Sequence, residues 1–143
     1  MLQEYIDNIR TFNRYYTKLL GVLNKSYLGS GFGLPEIRVI QDIYLHPNRN
    51  AKDISGELNM DKGLLSRILK KLELKGYIYK EREIQDCRID LIKLTKEGEK
   101  IYHELNTAAE LSVKNIFAGL EEYQLQEIVK SMKTILGIMT RHE

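Results

Sequence analysis

The sequence predicts a mainly α-helical chain carrying one small two-stranded β-wing, and three observations predict it. Apolar residues recur at helical spacing in long stripes at both ends. Two short helical segments follow one another near the middle, with a tight turn between them. After Gly76 the apolar period drops from helical to two. With 143 residues, 43% of them hydrophobic and 29% charged, the length and composition suit one globular domain spanning residues 1–143.

The first stripe is Leu2, Tyr5, Ile9, Phe12, Tyr16, Leu19 and Leu23, spaced alternately three and four apart and widened by Ile6 and Leu20. It predicts a helix over about 2–26, ended by the glycine-rich "GSGFG". In "LPEIRVIQDIYLHP", Pro35 suits a first helical turn, Ile37, Ile40 and Tyr44 share a face, and Pro47 is a stop. "NAKDISGEL" follows, with Asn50 as N-cap, Asp53 completing a capping box, and Ile54 and Leu58 as its buried pair. After a turn at Asn59 and Met60, Asp61 caps "KGLLSRILKKLELKG". There Leu65, Leu69 and Leu72 face inward, Ile68 lies at the edge, and Gly76 is a suitable C′ residue. Two short helices about a tight turn, the second of them basic, make a helix-turn-helix pattern.

Alternation in "YIYKEREI" and "RIDLIKL", with "QDCR" near the tip, predicts a hairpin in which Ile92 and Leu94 share a face. Thr95 caps a long helix through about Ala118, containing Tyr102, Leu105, Ala109, Ile116 and Phe117. Gly119 breaks it before a final helix with the stripe Leu125, Ile128, Val129, Met132, Ile135, Leu136 and Met139. The whole is a winged helix-turn-helix lobe at about 34–95, framed by long helices at about 2–26 and 96–142. Two amphipathic terminal helices must bury their stripes, and a second subunit offers the economical surface. Burial within one monomer is the alternative.

Net charge is only +2, but its distribution is uneven. Between Lys62 and Arg82 stand seven basic residues (Lys62, Arg67, Lys70, Lys71, Lys75, Lys80, Arg82) against Glu73 and Glu81. A basic patch on a near-neutral chain suggests a polyanion at one face, and a solvated lysine-rich helix is the plainer reading. A single cysteine excludes an internal disulfide framework and fits a reducing cytoplasm. "MLQEYIDNIRTF" is charged throughout, unlike a signal peptide, and no apolar run suits a membrane span. Nothing points to an enzyme, a metal or a cofactor. His46, His103 and His142 belong to different elements, no glycine pattern suits a phosphate, and a zinc site from His46, Cys87, His103 and Glu104 has no recognisable spacing.

From Asp61 to Gly98 the chain resembles the signature region of the MarR (multiple antibiotic resistance regulator) family of bacterial transcription factors. The pieces are "MDKGLLSRILKKLELKGYI", "DCR" and "LTKEG", in the family's order, and the flanking helices extend the likeness over essentially the whole chain. The resemblance implies a homodimer of triangular outline joined by its terminal helices, with duplex DNA as partner. It also implies release from DNA by a small molecule, often phenolic or lipophilic, or by an oxidant. Asp61, Lys62, Ser66, Arg67 and Lys70 fall on the family's recognition helix, and Asp86 and Arg88 at the wing tip. Three positions depart from the family's pattern. Gly63 stands where Ser, Thr or Pro is common, Cys87 where a basic or small polar residue is common, and Pro35 where a capping hydroxyl is frequent.

A helix fits the roughly 12 Å major groove and reads base edges with its outward face. With the leucines inward, Lys62, Gly63, Ser66, Arg67 and Lys70 lie on or beside that face. Arg67 suits paired hydrogen bonds to guanine, Ser66 a base edge or phosphate, and Lys62 and Lys70 phosphates. Arg88 at the hairpin tip suits a narrow minor groove, oriented by the Asp86 carboxylate. Asp86 also suits a turn. Tyr15, Tyr16, Tyr44 and Tyr102 are candidates to line an effector cleft, or they pack in the core. The sequence is therefore read as a homodimeric DNA-binding regulator, a repressor acting at a near-palindromic operator. The alternatives are a redox sensor acting through Cys87 and a helical protein-interaction module. Cys87 itself is expected to be an incidental hairpin residue.

Overall fold

A computed structural model describes residues 2–24 and 26–142. The chain divides into two compact units between Ala109 and Glu110. The first holds α1 (Gln3–Leu20), a 3-10 turn (Tyr27–Gly29), α2 (Leu34–Leu45), α3 (Ala51–Leu58), α4 (Lys62–Leu74), β1 (Ile78–Arg82), β2 (Asp90–Leu94) and most of α5 (Lys96–Phe117). The second holds the end of α5 and α6 (Glu122–Met139).

In the first unit, α1 stops at Leu20, six residues short of the expected end at 26. Gly21 ends it: at φ 70° its N–H donates to the Lys18 carbonyl and that of Val22 to the Thr17 carbonyl. Both bonds of a left-handed helix end are thus made before the glycine-rich loop is reached, and only glycine takes that backbone cheaply. Leu23 consequently lies beyond the helix and is exposed. α1 buries no residue, and Leu2, Tyr5, Ile9 and Phe12 are each more than half exposed.

The core lies among α2, α3, α4 and the hairpin. α2 turns Val39, Ile40 and Ile43 inward rather than the expected Ile37, Ile40 and Tyr44. Both sets are legitimate helical stripes. The helices and strand that pack on α2 select the first, leaving Ile37 half-buried and Tyr44 on the flank. α3 opens with the expected capping box: Asn50 Oδ1 accepts from the Asp53 N–H at 2.9 Å, and Asp53 Oδ2 accepts from the Asn50 N–H at 3.2 Å. α3 buries Ile54, while Leu58 packs on the core half-buried. At the turn, Ser55 Oγ donates to the Met60 carbonyl at 2.8 Å. α4 buries Leu65, Ile68, Leu69 and Leu72, so Ile68 is a full core residue rather than an edge one. Each such side chain contributes about 1.5–3 kcal/mol. Phe32, from the glycine-rich loop, also reaches the core and sets its ring edge-on to Tyr77.

β1 and β2 pair antiparallel with Ile78 opposite Leu94 and Lys80 opposite Ile92. The hairpin joins the helices at a crowded base. The Gly76 N–H donates to the Glu73 carbonyl and that of Tyr77 to the Leu72 carbonyl, closing α4 as expected. Thr95 then bonds three ways. Its N–H donates to the Tyr77 carbonyl at 3.0 Å, and its hydroxyl donates to the Gly76 carbonyl at 2.6 Å and accepts from the Gly98 N–H at 3.1 Å. Gly98, in the first turn of α5, packs directly on Tyr77. A methyl group at 98 would fall 2.0 Å from the Tyr77 carbonyl oxygen.

In the second unit, α6 opens with a capping box in which the Glu121 N–H donates to Gln124 Oε1 at 3.0 Å. No residue of α6 is buried, and Tyr123, Ile135, Leu136, Ile138 and Met139 are more than half exposed. No described helix is long and apolar enough to cross a membrane.

The Gly98 contact sets an expectation. Gly98→Ala forces backbone to move and should lower unfolding free energy by about 1–3 kcal/mol or more in urea titrations. Gly56→Ala, at a helical site with nothing within 4 Å, should be neutral or raise it by about 0.5–1 kcal/mol. Equal effects of the two changes would contradict the close packing.

Candidate nucleic-acid interface

The candidate surface begins at the cap of α4. Asp61 Oδ2 accepts from the Leu64 N–H at 3.0 Å, so this carboxylate is occupied in starting the helix. A side chain at Gly63 would meet Asp61 Oδ2 at 3.0 Å and the Arg67 guanidinium at 3.7 Å. The absence of one leaves both groups room. With the apolar face of α4 buried, Lys62, Gly63, Ser66, Arg67 and Lys70 are all exposed. Lys62, Ser66 and Lys70 follow one another at four-residue steps, which puts them on one line along the helix.

The seven basic residues between 62 and 82 separate into two groups. Lys71 Nζ lies 2.9 Å from Glu36, Lys75 sits 5.2 Å over the Phe32 ring, and Lys80 lies 3.9 Å from Glu73. Arg82 lies 3.7 Å from Asp90 and also donates to the Cys87 carbonyl. Lys62, Arg67 and Lys70 have no ion pair or hydrogen bond with any other described side chain. The unpaired cations are therefore on the outward face of α4, while the others meet partners beside that helix or within the hairpin.

Beside α4 stands the hairpin tip. The Glu83 N–H donates to the Ile89 carbonyl and that of Ile89 to the Asp86 carbonyl, closing the turn. Asp86 Oδ1 accepts from the Arg88 N–H at 3.0 Å and from Arg88 Nε at 3.2 Å, and Oδ2 accepts from Nη2 at 3.5 Å. Asp86 is thus both the turn residue and the carboxylate that orients Arg88, whose side chain is 90% exposed. The Arg88 backbone N–H and then its guanidinium hold the Asp86 carboxyl below the usual carboxylate range. Cys87 is exposed and unbridged.

Between α4 and the wing runs a groove of about 610 Å³, lined among others by Lys62, Ser66, Lys70, Lys80 and Arg88. Lys52, in the first turn of α3, also lines it. The sequence reading missed Lys52 and the groove side of Lys80, because helical period alone does not show which end of α3 meets the wing. Hydroxyl, ammonium and guanidinium donors dominate the polar groups here, which suits binding a polyanion rather than turning over a substrate. Among the described residues no three His, Cys, Asp or Glu side chains gather as metal ligands.

Of the four tyrosines, the fold unites two. The Tyr44 and Tyr102 rings stack at 3.8 Å, with His103 edge-on to both at 5.3 Å. Tyr16 stacks instead on Phe12, and Tyr15 is exposed on α1. A cavity of about 130 Å³ is lined by Tyr102 together with Tyr27, Ile37, Arg38, Gln41 and Leu105, among others, but not by Tyr44.

A family model described as the MarR family matches residues 33–89, from the start of α2 through the wing tip. The chain is 29% identical over 127 residues to the HTH-type transcriptional regulator SarZ of Staphylococcus saprophyticus, spanning 89% of this chain and 79% of SarZ. It is 28% identical over 103 residues to the HTH-type transcriptional regulator BilQ of Clostridioides difficile, spanning 71% and 70%. Among solved structures, FabT of Streptococcus pneumoniae, crystallised in complex with DNA, matches with a TM-score of 0.78 at 24% identity, over 97% of this chain and 99% of FabT. The fold is that of the winged helix-turn-helix proteins.

The wing turn makes a prediction in pH. The ionised form of Asp86 accepts the Arg88 bonds, so its contribution is complete above its ordinary value of 3.8 and lost as pH falls through the depressed midpoint. A carbon-13 NMR titration should find that midpoint below 3.8. In Arg88→Ala it should rise only part of the way back, because the backbone N–H remains and is the larger cause. A wild-type midpoint at the ordinary value would show that the turn is not held in this way.

Proposed function

We propose that this chain, whose residues 33–89 match the MarR family model, is a homodimeric repressor of that family. In this reading it binds a near-palindromic DNA operator in the cytoplasm and catalyses no reaction. The observation that carries the DNA contact is the separation of cations on and around α4. Lys62, Arg67 and Lys70 are unpaired on the outward face, and Arg88 is held forward at the neighbouring tip by Asp86. That FabT, of the same fold, is crystallised with DNA supports the same use of this surface.

In this reading α4 enters the major groove. Arg67 reads guanine through paired hydrogen bonds and Ser66 reaches a base edge or a phosphate, with Gly63 allowing close approach. Lys62 and Lys70 grip phosphates, while Asp61 keeps the helix start in order. Arg88 enters the flanking minor groove. The lobe at 34–95 reads DNA, and the terminal helices make the dimer. The support for the dimer is α1 and α6 themselves, each 18 residues long, amphipathic, and without a buried residue. Helices of that kind are covered by another surface, and a second copy of each supplies it.

An effector, in this reading, acts at the cavity beside Tyr102, whose volume is on the order of one aromatic ring. Tyr44 supports Tyr102 by stacking, and Tyr15 and Tyr16 belong instead to the α1 surface.

Arg67 and Lys70 separate reading from gripping. Arg67→Ala should cost roughly 1–3 kcal/mol at the cognate operator and relax preference at one base pair. Lys70→Ala should weaken cognate and random duplexes alike and reduce the slope of log affinity against log salt by about one. Titrations at several salt concentrations check both. No sequence-selective duplex binding by the wild type would remove the reading altogether, and equal losses on both DNAs for Arg67→Ala would make it a phosphate contact.

A further inference from the structure

Arg49 connects three elements without facing the candidate DNA surface. Its guanidinium Nη1 donates to Asp42 Oδ1 of α2 at 2.9 Å and lies 3.9 Å from Glu57 of α3. Its main-chain carbonyl accepts from the Ile92 N–H, in the middle of β2, at 3.0 Å. β2 pairs with β1 along one edge, so Arg49 supplies the partner on the other edge. The next residue, Asn50, is fixed as the cap of α3.

Asp42 is the anchor of this arrangement. It is 6% exposed, and its second oxygen is buried without a hydrogen-bond partner. The Arg49 bond is then its main compensation, and a swing of Arg49 away would strand a buried charge. The loop at 46–50 is held at its other end too, where the His46 N–H donates to the Asp42 carbonyl at 2.9 Å.

Arg88 stands four residues before Ile92, in the turn two residues ahead of β2, a reach of at most roughly 13 Å at the rise of an extended chain. A tilt of about 10° at Ile92 would therefore move the tip by up to about 2 Å, enough to break a groove contact. We propose that Arg49, locked by the buried Asp42 carboxylate, is the positioning residue for the wing and sets where Arg88 stands relative to α4. The proposal rests on the reading of Arg88 as a minor-groove contact.

A double-mutant cycle between Arg49 and Arg88 tests it, read on operators with A·T-rich and G·C-rich flanks. Arg88→Ala should reduce affinity, and more so for the A·T-rich flanks. Arg49→Ala keeps the carbonyl but frees the loop, and should reduce affinity about 2- to 30-fold with the same flank dependence. The double variant should bind no more weakly than Arg88→Ala alone. Arg49→Lys should recover part of the loss, and the Ile92 amide should exchange faster in Arg49→Ala than in the wild type. If Arg49→Ala does not fold, Asp42→Asn replaces it in the same cycle, since it removes the charge but keeps an acceptor of the same shape. Losses that multiply in the double variant, or an unchanged Ile92 exchange rate, would overturn the positioning role while leaving the wing contact intact. An Arg88→Ala protein with undiminished affinity on both flanks would instead remove the wing contact, and this proposal with it.

Discussion

The carbonyl oxygen of Tyr77 occupies the space where a side chain at residue 98 would begin. That single close approach brings three elements to one point: the end of α4, the base of the wing and the first turn of α5. Thr95 bonds backbone groups of Gly76, Tyr77 and Gly98 around it. With no methyl group to separate them, α5 starts directly against the turn that leaves α4. The direction of the hairpin relative to α4 follows from that packing and from the burial of Ile78 and Ile92. Widening the junction would alter the groove between α4 and the wing before any groove side chain was touched.

The charges on α4 divide between contacts that serve the fold and a face left open. Burial of Leu65, Ile68, Leu69 and Leu72 decides which face of α4 is outward. Cations at the margins of that face are consumed locally, Lys71 by Glu36 and Lys75 by the Phe32 ring. Those contacts are partly exposed and individually weak. Their consequence is a sorting of charge rather than a large gain in stability, since they leave an unpaired set at Lys62, Arg67 and Lys70. At the wing the sorting is finer still. Asp86 binds the backbone and the guanidinium of Arg88 together, so the arginine is directed without being neutralised by a buried partner.

Much of this was legible in the sequence where the cause is local. The Asn50–Asp53 box, the Asp61 and Thr95 caps, the helix end at Gly76 and the Asp86–Arg88 contact each depend on residues within a few positions of one another. The structure shows all of them. What escaped depends on distant neighbours. α2 offers two adjacent apolar stripes, and only its packing partners select Val39, Ile40 and Ile43. Phe32 lies in a loop without period, and its burial follows from the closure of that loop onto Tyr77. Arg49 reads as a loop cation, and nothing in its sequence neighbours reveals the Ile92 N–H that meets its carbonyl. The early end of α1 is the exception. Gly21 is a local stop, but the apolar stripe runs past it to Leu23 and predicts the longer helix.

In the proposed complex, two copies of this chain place α4 in successive major grooves and Arg88 in the minor grooves that flank them. Hydroxyl-radical footprinting on an operator selected from genomic fragments tests it most directly, since the radical attacks the sugar at the minor-groove edge. Two protected half-sites with centres about 10–10.5 bp apart are expected. An outer minor-groove protection should flank each half-site and should be absent for Arg88→Ala, with the inner pattern retained. A single protected patch without two-fold symmetry, or identical footprints for the wild type and Arg88→Ala, would contradict the account.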